Sequence, residues 1–276
     1  MLLLLLGCVG CSRQAQPLGV QSYDNGTLTV WNVRTASPSV GVLSYRALVP
    51  KVGPEQRLPV LYLLHGANSS PDELMSRSDV SHLAVAANLI VVMPEAGLSY
   101  YTNAAHKRHA RWEDAIAVDL PRDVDSRLPV LRDRAHTGIA GISMGGYGAI
   151  KLALKYPDRY AFTASLSGAL DITRRRASLK RWQQTMRIWE IFGGSAAAKT
   201  EDVFLLLPQD SHVHETQWFE SCGEKDPLFA VNQRFATRLR QRGASVNFVT
   251  TPGGHDWQDW NAALPQMFQA AQKTLQ

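Results

Sequence analysis

Residues 136–156 read HTGIAGISMGGYGAIKLALKY and carry the strongest fold signal in the chain. A short apolar run, Gly138–Ile142, leads into the sequence Gly-Ile-Ser-Met-Gly, and helix-forming residues with apolar positions at helical spacing follow from Ala149 to Leu154. The pattern predicts a strand, a sharp turn and a helix, with Ser143 at the turn. This is the context in which a G-x-S-x-G motif indicates a nucleophilic serine.

The two glycines of this motif occupy positions where such a turn leaves no room for a side chain. They are Gly141 and Gly145, two residues before and two after Ser143. The amide of Met144 and the positive end of the following helix are then expected to face an oxyanion formed at the serine. A glycine-rich turn that contains serine by chance is the alternative, because the motif alone is common.

Apolar segments on both sides of this stretch predict the rest of an α/β fold. Two alternating segments predict an antiparallel pair, and continuous apolar runs predict buried parallel strands separated by helices. The predicted strands are Thr27–Arg34, Val40–Val49, Pro59–Leu64, Leu89–Met93, Phe162–Leu166, Thr216–Cys222 and Val246–Thr250; the predicted helices are Asp72–Ala87, Trp112–Leu128, Pro227–Arg242 and Asp256–Leu275. The alternation predicts a mostly parallel, doubly wound sheet with helices on both faces and a helical insertion at about 171–209.

Composition limits the classes of function. The 276 residues can hold one large domain, which we place at 23–276. A net charge of +5 does not by itself indicate nucleic acid, and no G-x-G-x-x-G or Walker signature supports a nucleotide site. Three cysteines offer neither a disulfide framework nor a metal cluster. We therefore expect no nucleic-acid partner, no nucleotide site and no cysteine-bound metal.

The N-terminus, MLLLLLGCVGCSRQAQ, is very apolar and then turns to small residues. It is too short to span a bilayer as a helix, and it predicts a secretory signal with the lipobox of a bacterial lipoprotein. Cys11 is the preferred lipidation site and Cys8 the alternative. Residues 1–22 are then a signal or lipoprotein-type segment and tether, and the protein is expected to be exported and attached to a membrane through its lipid. Without such a signal, a cytoplasmic location is expected.

A serine nucleophile needs a base, and the base needs an orienting acid, in the chain order Ser, Asp or Glu, His for this fold. His255 follows the last predicted strand, at the sheet end where ligands bind in open α/β folds, and is the predicted base. Asp226, after the penultimate strand, is the predicted acid. Glu224 and Asp171 are the alternatives, whereas Asp256 is disfavoured because a side chain adjacent to the base usually points away from it.

The second oxyanion amide is expected from the loop His65-Gly66-Ala67, which follows the third strand. We assign the oxyanion hole to the amides of Ala67 and Met144. His65 is expected to pack and hydrogen-bond so that it shapes this loop, rather than to react.

Six segments together resemble the esterase D family of α/β-hydrolases. They are LYLLHG, LIVVMPEAG, GISMGGYGAIKLAL, ASLSGALD, CGEKDPLF and GGHDWQDW. The resemblance runs from about Thr27 to the C-terminus and is strongest to tributyrin- and feruloyl-type esterases and S-formylglutathione hydrolases, with mycolyltransferases more distant. It implies an α/β-hydrolase fold and a carboxylic ester or thioester hydrolase without metal or cofactor. The triad that it implies is Ser143, Asp226 and His255, with the oxyanion amides of Ala67 and Met144.

Two segments are predicted to border the substrate pocket. Tyr100 and Tyr101 begin a loop at the carboxyl end of a strand, and Trp182 and Trp189 lie at helical spacing in the insertion, as a pocket wall or lid. The insertion is also basic, through Arg174–Arg176, Lys180, Arg181 and Arg187, so contact with anionic lipid is one hypothesis and a solvated surface helix is the plainer one. His106, His109, His212 and His214 are only a weak metal signal.

The pattern and the resemblance together predict a serine carboxylesterase that hydrolyses short-chain acyl or aryl esters, with a small-molecule ester as its partner. Three alternatives remain: an S-formylglutathione hydrolase-type thioesterase, an acyltransferase of the mycolyltransferase type, and a non-catalytic binding protein on the same scaffold. The triad order argues against the last of these, and an exported protein argues against the first.

Overall fold

The structure, a computed structural model, describes residues 18–174, 182–194, 198–209 and 212–276, with backbone alone for 174 and 182–185. Cys8, Cys11 and the basic residues at 175–181 lie outside the described residues, so the predictions made for them stay predictions. In the described part of the chain, no helix is long and apolar enough to span a membrane.

Nine strands form a single sheet in the order β1-β2-β3-β5-β4-β6-β7-β8-β9. The strands are β1 (Gly19–Asp24), β2 (Leu28–Ser37), β3 (Gly41–Pro50), β4 (Val60–Leu64), β5 (Ile90–Glu95), β6 (Thr137–Ile142), β7 (Phe162–Leu166), β8 (Gln217–Gly223) and β9 (Ser245–Thr251). The pairings β1/β2, β2/β3 and β3/β5 are antiparallel, and the five pairings from β5 to β9 are parallel. This confirms the predicted mostly parallel α/β sheet.

Helices cover both faces of the sheet, as predicted. They are α1 (Pro71–Arg77), α2 (Val80–Ala86), α3 (Trp112–Asp114), α4 (Leu120–Arg127), α5 (Met144–Lys155), α6 (Trp182–Phe192), α7 (Val203–Leu206), α8 (Phe229–Gln241) and α9 (Trp257–Leu275). One face buries apolar residues against α4, α5 and α8, and the other buries them against α1, α2 and α9. The helices α1, α2 and α9 therefore form one layer, and α4, α5 and α8 form the other. Because the strands from β5 to β9 are parallel, their carboxyl ends lie at one edge of the sheet.

Two predicted helices differ in detail from those observed. The predicted helix Asp72–Ala87 is interrupted at Ser78, whose hydroxyl donates to the Leu74 carbonyl at 2.6 Å and ends α1. The predicted helix Trp112–Leu128 contains a π-helical turn, Ala115–Asp119, immediately before α4. Pro121 is the second residue of α4, but the residues before it are already helical, so its missing N–H leaves the Ala117 carbonyl without its helical donor. The Arg159 guanidinium donates to that carbonyl instead.

The predicted boundary of the N-terminal tether is wrong. Residues 19–22 were expected to belong to a tether, but Gly19–Asp24 forms the edge strand β1 and pairs with β2 along its whole length. All six of its residues are exposed, so neither of its faces is buried against a core. The segment therefore lacks the alternation of apolar and polar residues on which strand prediction depends.

A buried ion cluster ties the insertion to the helix that follows Ser143. Lys151 of α5 is fully buried, and its ammonium lies 2.8 Å from Glu113 and 2.9 Å from Glu201 of the insertion. Burial alone would raise the pKa of Glu113, but Lys151 and Lys155 outweigh it and lower that pKa to about 2. Buried charges are tolerated only when they are paired in this way, so the cluster fixes where the insertion meets α5.

The stability of the protein is expected to depend on pH through Glu220 of β8. This side chain is buried, and neither carboxylate oxygen has a hydrogen-bond partner in the described structure. Burial raises the pKa of Glu220 well above 4.5, and Arg240 opposes the rise only in part. The folded state therefore keeps a proton that the unfolded chain releases. The contribution of protonated Glu220 to the free energy of unfolding is complete below pH 4.5. Above that pH it is lost by up to about 1.4 kcal/mol per pH unit.

Urea unfolding of the wild type and of Glu220→Gln between pH 5 and 8 measures this effect. The free energy of unfolding of the wild type should fall relative to that of the variant as pH rises, because glutamine has no proton to lose. Glu224→Gln, at an exposed position on the loop after the same strand, is the matched control. Parallel pH profiles for wild type and Glu220→Gln would contradict an uncharged Glu220.

Candidate active site

Ser143 lies in a strained turn between β6 and α5. Its φ is 56° and its ψ is −110°, a region that non-glycine residues rarely occupy. A side chain on Gly141 would overlap the backbone of Gly145, and one on Gly145 would overlap the carbonyl of Leu64. These overlaps are the physical reason for both glycines of the motif, and they confirm the predicted strand, turn and helix.

The structure brings the three predicted triad residues together. His255 Nε2 lies 2.9 Å from the Ser143 hydroxyl oxygen, and His255 Nδ1 lies 2.8 Å from Asp226 Oδ2. Since an ionised carboxylate can only accept, Nδ1 carries the ring proton and Nε2 is left to accept from the serine. This arrangement can remove the hydroxyl proton of Ser143 as the oxygen attacks a carbonyl carbon.

The electrostatics of Asp226 suit the role of an orienting acid. Its side chain has no exposed surface. Burial alone would raise the pKa of Asp226, but hydrogen bonds from His255 and from the Leu228 amide, at 2.8 Å each, outweigh it and lower that pKa. The carboxylate is therefore ionised and can stabilise a protonated His255 ring.

Hydrogen bonds between the loops after β8 and β9 fix the position of Asp226 relative to His255. The amides of Glu224 and Lys225 donate to the carbonyls of Thr251 and Gly253, at 2.8 and 2.9 Å. Asp259 of α9 is buried and accepts from the Gly253 amide at 3.1 Å and from the Thr251 hydroxyl. The loop that carries His255 is thus fixed from both sides.

The structure distinguishes among the alternative acids. The side chain that meets Nδ1 of His255 is Asp226. Glu224 is exposed, and Asp256 caps α9 by accepting from the Asp259 amide at 3.1 Å. Asp171, the third alternative, precedes a short helical turn at Ile172–Arg174 and is half-buried. Of the four carboxylates considered, Asp226 is therefore the one placed to orient His255.

Two backbone amides lie where an oxyanion hole is predicted. Gly66 and Ala67 border the Ser143 pocket, and a Cβ on Gly66 would lie 3.7 Å from the Cβ of Ser143. Within the described part of the chain, neither the Ala67 nor the Met144 amide donates a hydrogen bond to another residue. Both are free to donate to an oxygen bound at Ser143, and Met144 also stands at the positive end of α5.

His65 shapes the oxyanion loop, as expected, and its tautomer follows from its partners. Nε2 accepts from the Ala96 amide at 3.1 Å, so Nδ1 carries the proton and donates to the Gly66 carbonyl at 2.7 Å. Burial lowers the pKa of His65, which keeps the ring neutral. The buried Tyr101 hydroxyl donates to the His65 carbonyl at 2.9 Å and so holds the loop in place.

A cavity of about 190 Å³ opens at Ser143. Its lining is Gly66, Ala67, Asn68, Ser69, Glu73, Leu74, Ile142, Ser143, His255, Trp257 and Trp260. Trp257 is held by a hydrogen bond from its indole to Glu73 at 3.2 Å and by Arg77, which lies 5.7 Å above the ring. Trp260 packs edge-on against His255, with ring centroids 5.2 Å apart. Two tryptophans of α9 therefore form a rigid wall of the pocket.

Three of the four predicted pocket residues, Tyr100, Tyr101 and Trp189, do not line the cavity at Ser143, so the prediction is corrected for these three. Tyr101 is fully buried under the oxyanion loop, and Tyr100 packs against Tyr147 and Phe192. Trp189 is 47% exposed and stacks on His106 with ring centroids 4.0 Å apart. The side chain of Trp182 lies outside the described residues, so its role stays a prediction.

Four residues near the site were not predicted from the sequence: Glu73, Trp257, Trp260 and Asn232. Asn232 of α8 holds both the amide and the carbonyl of Gly168, at 3.1 and 2.9 Å, and so fixes the chain after β7. A polar residue on the apolar face of a predicted helix was the available signal for Asn232. Trp257 and Trp260 were visible in GGHDWQDW, but nothing in the sequence showed that they face Ser143.

The histidines considered for metal binding are dispersed. His212 pairs with Glu215 at 3.1 Å, and His106 stacks on Trp189. Among the described residues, no group of three or more His, Cys, Asp or Glu side chains is arranged to hold a metal ion.

The sequence and the described fold match known esterases. The sequence model of the family described as "Putative esterase" matches residues 44–271. An acetyl esterase of Caldicellulosiruptor saccharolyticus is 26% identical over 222 residues, covering 78% of this chain and 83% of that protein.

Solved structures agree on the fold. A fluorophosphonate-binding serine hydrolase of Staphylococcus aureus has a TM-score of 0.76 at 24% identity, covering 90% of this chain and 99% of that one. An S-formylglutathione hydrolase of Agrobacterium tumefaciens has a TM-score of 0.82 at 15% identity, covering 94% and 100%. These matches confirm the α/β-hydrolase fold and the resemblance to the esterase D family. The chain belongs to the putative esterase family, whose sequence model matches residues 44–271, and is an enzyme of the esterase class.

Proposed function

We propose that the protein is a serine carboxylesterase that hydrolyses short-chain acyl or aryl esters through an acyl-enzyme. The observation that carries this proposal is the hydrogen-bonded series Asp226, His255 and Ser143 beside the unengaged amides of Ala67 and Met144. Nucleophile, base, orienting acid and oxyanion donors are the full set that acyl transfer requires.

The chemistry follows from these positions. Ser143 Oγ attacks the ester carbonyl carbon while His255 Nε2 takes its proton, and Asp226 stabilises the protonated ring. The amides of Ala67 and Met144 bind the oxygen that gains negative charge. His255 then gives its proton to the leaving alcohol, and a water molecule repeats the sequence on the acyl-enzyme to release the acid.

The pocket argues for a small acyl group. At about 190 Å³, the cavity at Ser143 is below the range of sites that enclose drug-sized ligands. Its wall is rigid, because Trp257 is fixed by Glu73 and Arg77 and packs 5.3 Å from Trp260. A long acyl chain would have to displace these rings, so we expect acetyl and butyryl esters to be preferred.

Replacing the wall should extend the range of acyl chains. We expect Trp257→Ala to raise the ratio of kcat/KM for p-nitrophenyl octanoate to that for the acetate by at least about 10-fold. Each CH₂ group that gains a buried position contributes about 0.8 kcal/mol. Steady-state rates on the acetate, butyrate and octanoate esters measure the ratio.

The matched control is Trp189→Ala, which removes an exposed tryptophan of the insertion. It should leave the chain-length profile unchanged. If the chain-length profile changed in Trp189→Ala but not in Trp257→Ala, the acyl group would bind beneath the insertion instead. Absence of hydrolysis of every ester by the folded wild type would contradict the proposed function itself.

A thioesterase of the S-formylglutathione hydrolase type is the second candidate, favoured by the fold match to the enzyme of that name from Agrobacterium tumefaciens. The same site performs both reactions, because a thioester carbonyl accepts the same attack. Comparing kcat/KM for S-formylglutathione and for p-nitrophenyl acetate decides between them.

We also propose that the protein is exported and carries a lipid on Cys11. The support is the apolar N-terminal run followed by small residues and cysteine. In a bacterial host, the full chain should appear in the membrane fraction and Cys11→Ser should not. Retention of Cys11→Ser with loss of Cys8→Ser would move the attachment to Cys8.

A further inference from the structure

A groove opens on the sheet face that α1 and α2 cover, at the point where this cover ends. Leu28 and Val30 of β2 and Leu48 of β3 are buried there against the helices. Because side chains two residues apart on a strand share a face, the next residues of β2 and β3 on this face are polar: Asn32, Arg34, Ser44 and Arg46. These four residues line the groove together with parts of β1, β5 and α1, and its volume is about 550 Å³. Sites for small ligands have volumes of this order.

Arg34 has an unsatisfied donor in this groove. Its Nε is buried and has no hydrogen-bond partner in the described structure, whereas Nη1 donates to the Ser44 hydroxyl at 3.3 Å. A buried N–H without an acceptor costs free energy, and the cost is larger for a charged group. The guanidinium fork has the geometry to bind a carboxylate or a phosphate through two parallel hydrogen bonds. Arg34 is therefore placed to bind an anion.

The carboxylates that line the groove do not supply this anion. Asp72 accepts two hydrogen bonds from Arg46, at 2.9 and 3.1 Å. Glu95 lies two strands away from Arg34, because Ser44 stands between them as the cross-strand neighbour of both. Two strand spacings are about 10 Å, which is close to the Debye length at about 0.1 M salt. Salt therefore largely screens the repulsion between Glu95 and an anion bound at Arg34.

The space beside Arg34 is open and is bordered by polar groups. Gly19 of β1 is directly opposite Arg34, and a Cβ on Gly19 would meet no heavy atom of the described residues within 4 Å. The next pair on the same face is Gln21 and Asn32, whose amide groups both donate and accept. The Ser44 hydroxyl accepts from Arg34 and can donate its own proton to a ligand. One cation among amide and hydroxyl groups suits an acid that carries several hydroxyl groups.

We propose that this groove binds a hydroxylated organic anion, such as an acidic sugar or a sugar phosphate, with its carboxylate or phosphate on Arg34 and its hydroxyl groups on the neighbouring amides. Residues 1–17 contain no Asp or Glu, so the segment that precedes β1 has no side chain to supply the anion. The site is separate from the catalytic one, because Asp72 lines the groove, Glu73 lines the cavity at Ser143, and the two linings share no residue. The proposal does not depend on the hydrolysis proposed above.

Isothermal titration calorimetry of the full-length protein with glucuronate, glucose 6-phosphate and glucose tests the proposal. We expect saturable binding of the acids and none of glucose at the same concentrations, because glucose lacks the group that Arg34 binds. The Kd values of the two acids show whether the carboxylate or the phosphate is the better ligand. Arg34→Gln should raise the Kd of the better ligand by at least about 10-fold, the loss expected for a hydrogen bond to a charged group.

A second variant fills the groove without removing the arginine. Gly19→Phe places a ring opposite Arg34 on an exposed edge strand and should abolish binding of both acids. Its matched control is Ser22→Phe, which adds the same ring to the opposite face of β1. Arg122→Gln, which removes an exposed arginine of α4 on the other side of the sheet, is the control for Arg34→Gln. Both controls should bind the acids with the Kd of the wild type.

Circular dichroism and the Tm without ligand show whether each variant is folded. Absence of binding of both acids to the folded wild type would overturn the proposal, and so would unchanged binding in folded Gly19→Phe or an equal loss in Ser22→Phe. If Arg34→Gln does not fold, Gly19→Phe gives the result. A protein that binds the acids but hydrolyses no ester would contradict the proposed function alone, so the two failures are distinguishable.

Discussion

Ser143→Ala is expected to lower kcat for p-nitrophenyl acetate by about 10⁶-fold, to a rate supported only by substrate binding and the oxyanion amides. The reason is specific to this site: Ser143 Oγ is the hydrogen-bond partner of His255 Nε2 in the described structure. Without it, the base has no nucleophile to activate. Rates of p-nitrophenol release, corrected for hydrolysis in buffer, measure the loss.

The control for Ser143→Ala is Ser165→Ala, another buried serine near the same edge of the sheet. It should keep wild-type rates, and circular dichroism should show the same fold for all three proteins. Alanine at φ 56° carries a similar backbone strain to serine, so little loss of stability is expected. Equal rates for wild type and Ser143→Ala would contradict the assignment of Ser143 as the nucleophile and would favour a binding protein on this scaffold.

Asp226→Asn should lower kcat by about 10⁴-fold while leaving the fold and KM close to wild type. The carboxylate accepts from His255 Nδ1 at 2.8 Å and from the Leu228 amide at 2.8 Å. An asparagine that keeps its oxygen on the Leu228 amide presents its NH₂ group to the ring. Nδ1 must then accept, Nε2 carries the proton, and the ring can no longer take the proton of Ser143.

Two carboxylates from the same region serve as matched controls for Asp226→Asn. Glu224→Gln alters an exposed side chain two residues earlier and should have no effect. Asp256→Asn keeps an N-cap side chain on α9, since asparagine caps as well as aspartate. If either control lost as much activity as Asp226→Asn, Asp226 could no longer be assigned as the acid, and the alternatives predicted from the sequence would be considered again.

The nucleophile turn was predictable because its constraints are local. Gly141 and Gly145 lie within two residues of Ser143, and the overlaps that exclude side chains there involve backbone that the motif itself specifies. The parallel strands were predictable for a similar reason. A strand buried on both faces, such as Val60–Leu64, reads as an unbroken apolar run whatever its neighbours are.

The pocket was not predictable because it depends on contacts distant in sequence. Trp257 reaches the site through Glu73, which lies 184 residues away in the chain. Tyr100 and Tyr101 follow the carboxyl end of β5, as expected, but both have positive φ and turn inward. Chain position thus indicated the correct edge of the sheet, whereas the direction of each side chain was decided by tertiary packing.

Covalent labelling tests the central claim most directly. The full-length protein is incubated with a fluorophosphonate, and the modified residue is located by mass spectrometry of its peptides. We expect one adduct on Ser143, none in Ser143→Ala, and greatly slowed labelling in His255→Ala, because His255 activates the serine oxygen. A folded, active protein that stays unlabelled at Ser143, or that is labelled at a different serine, would contradict it.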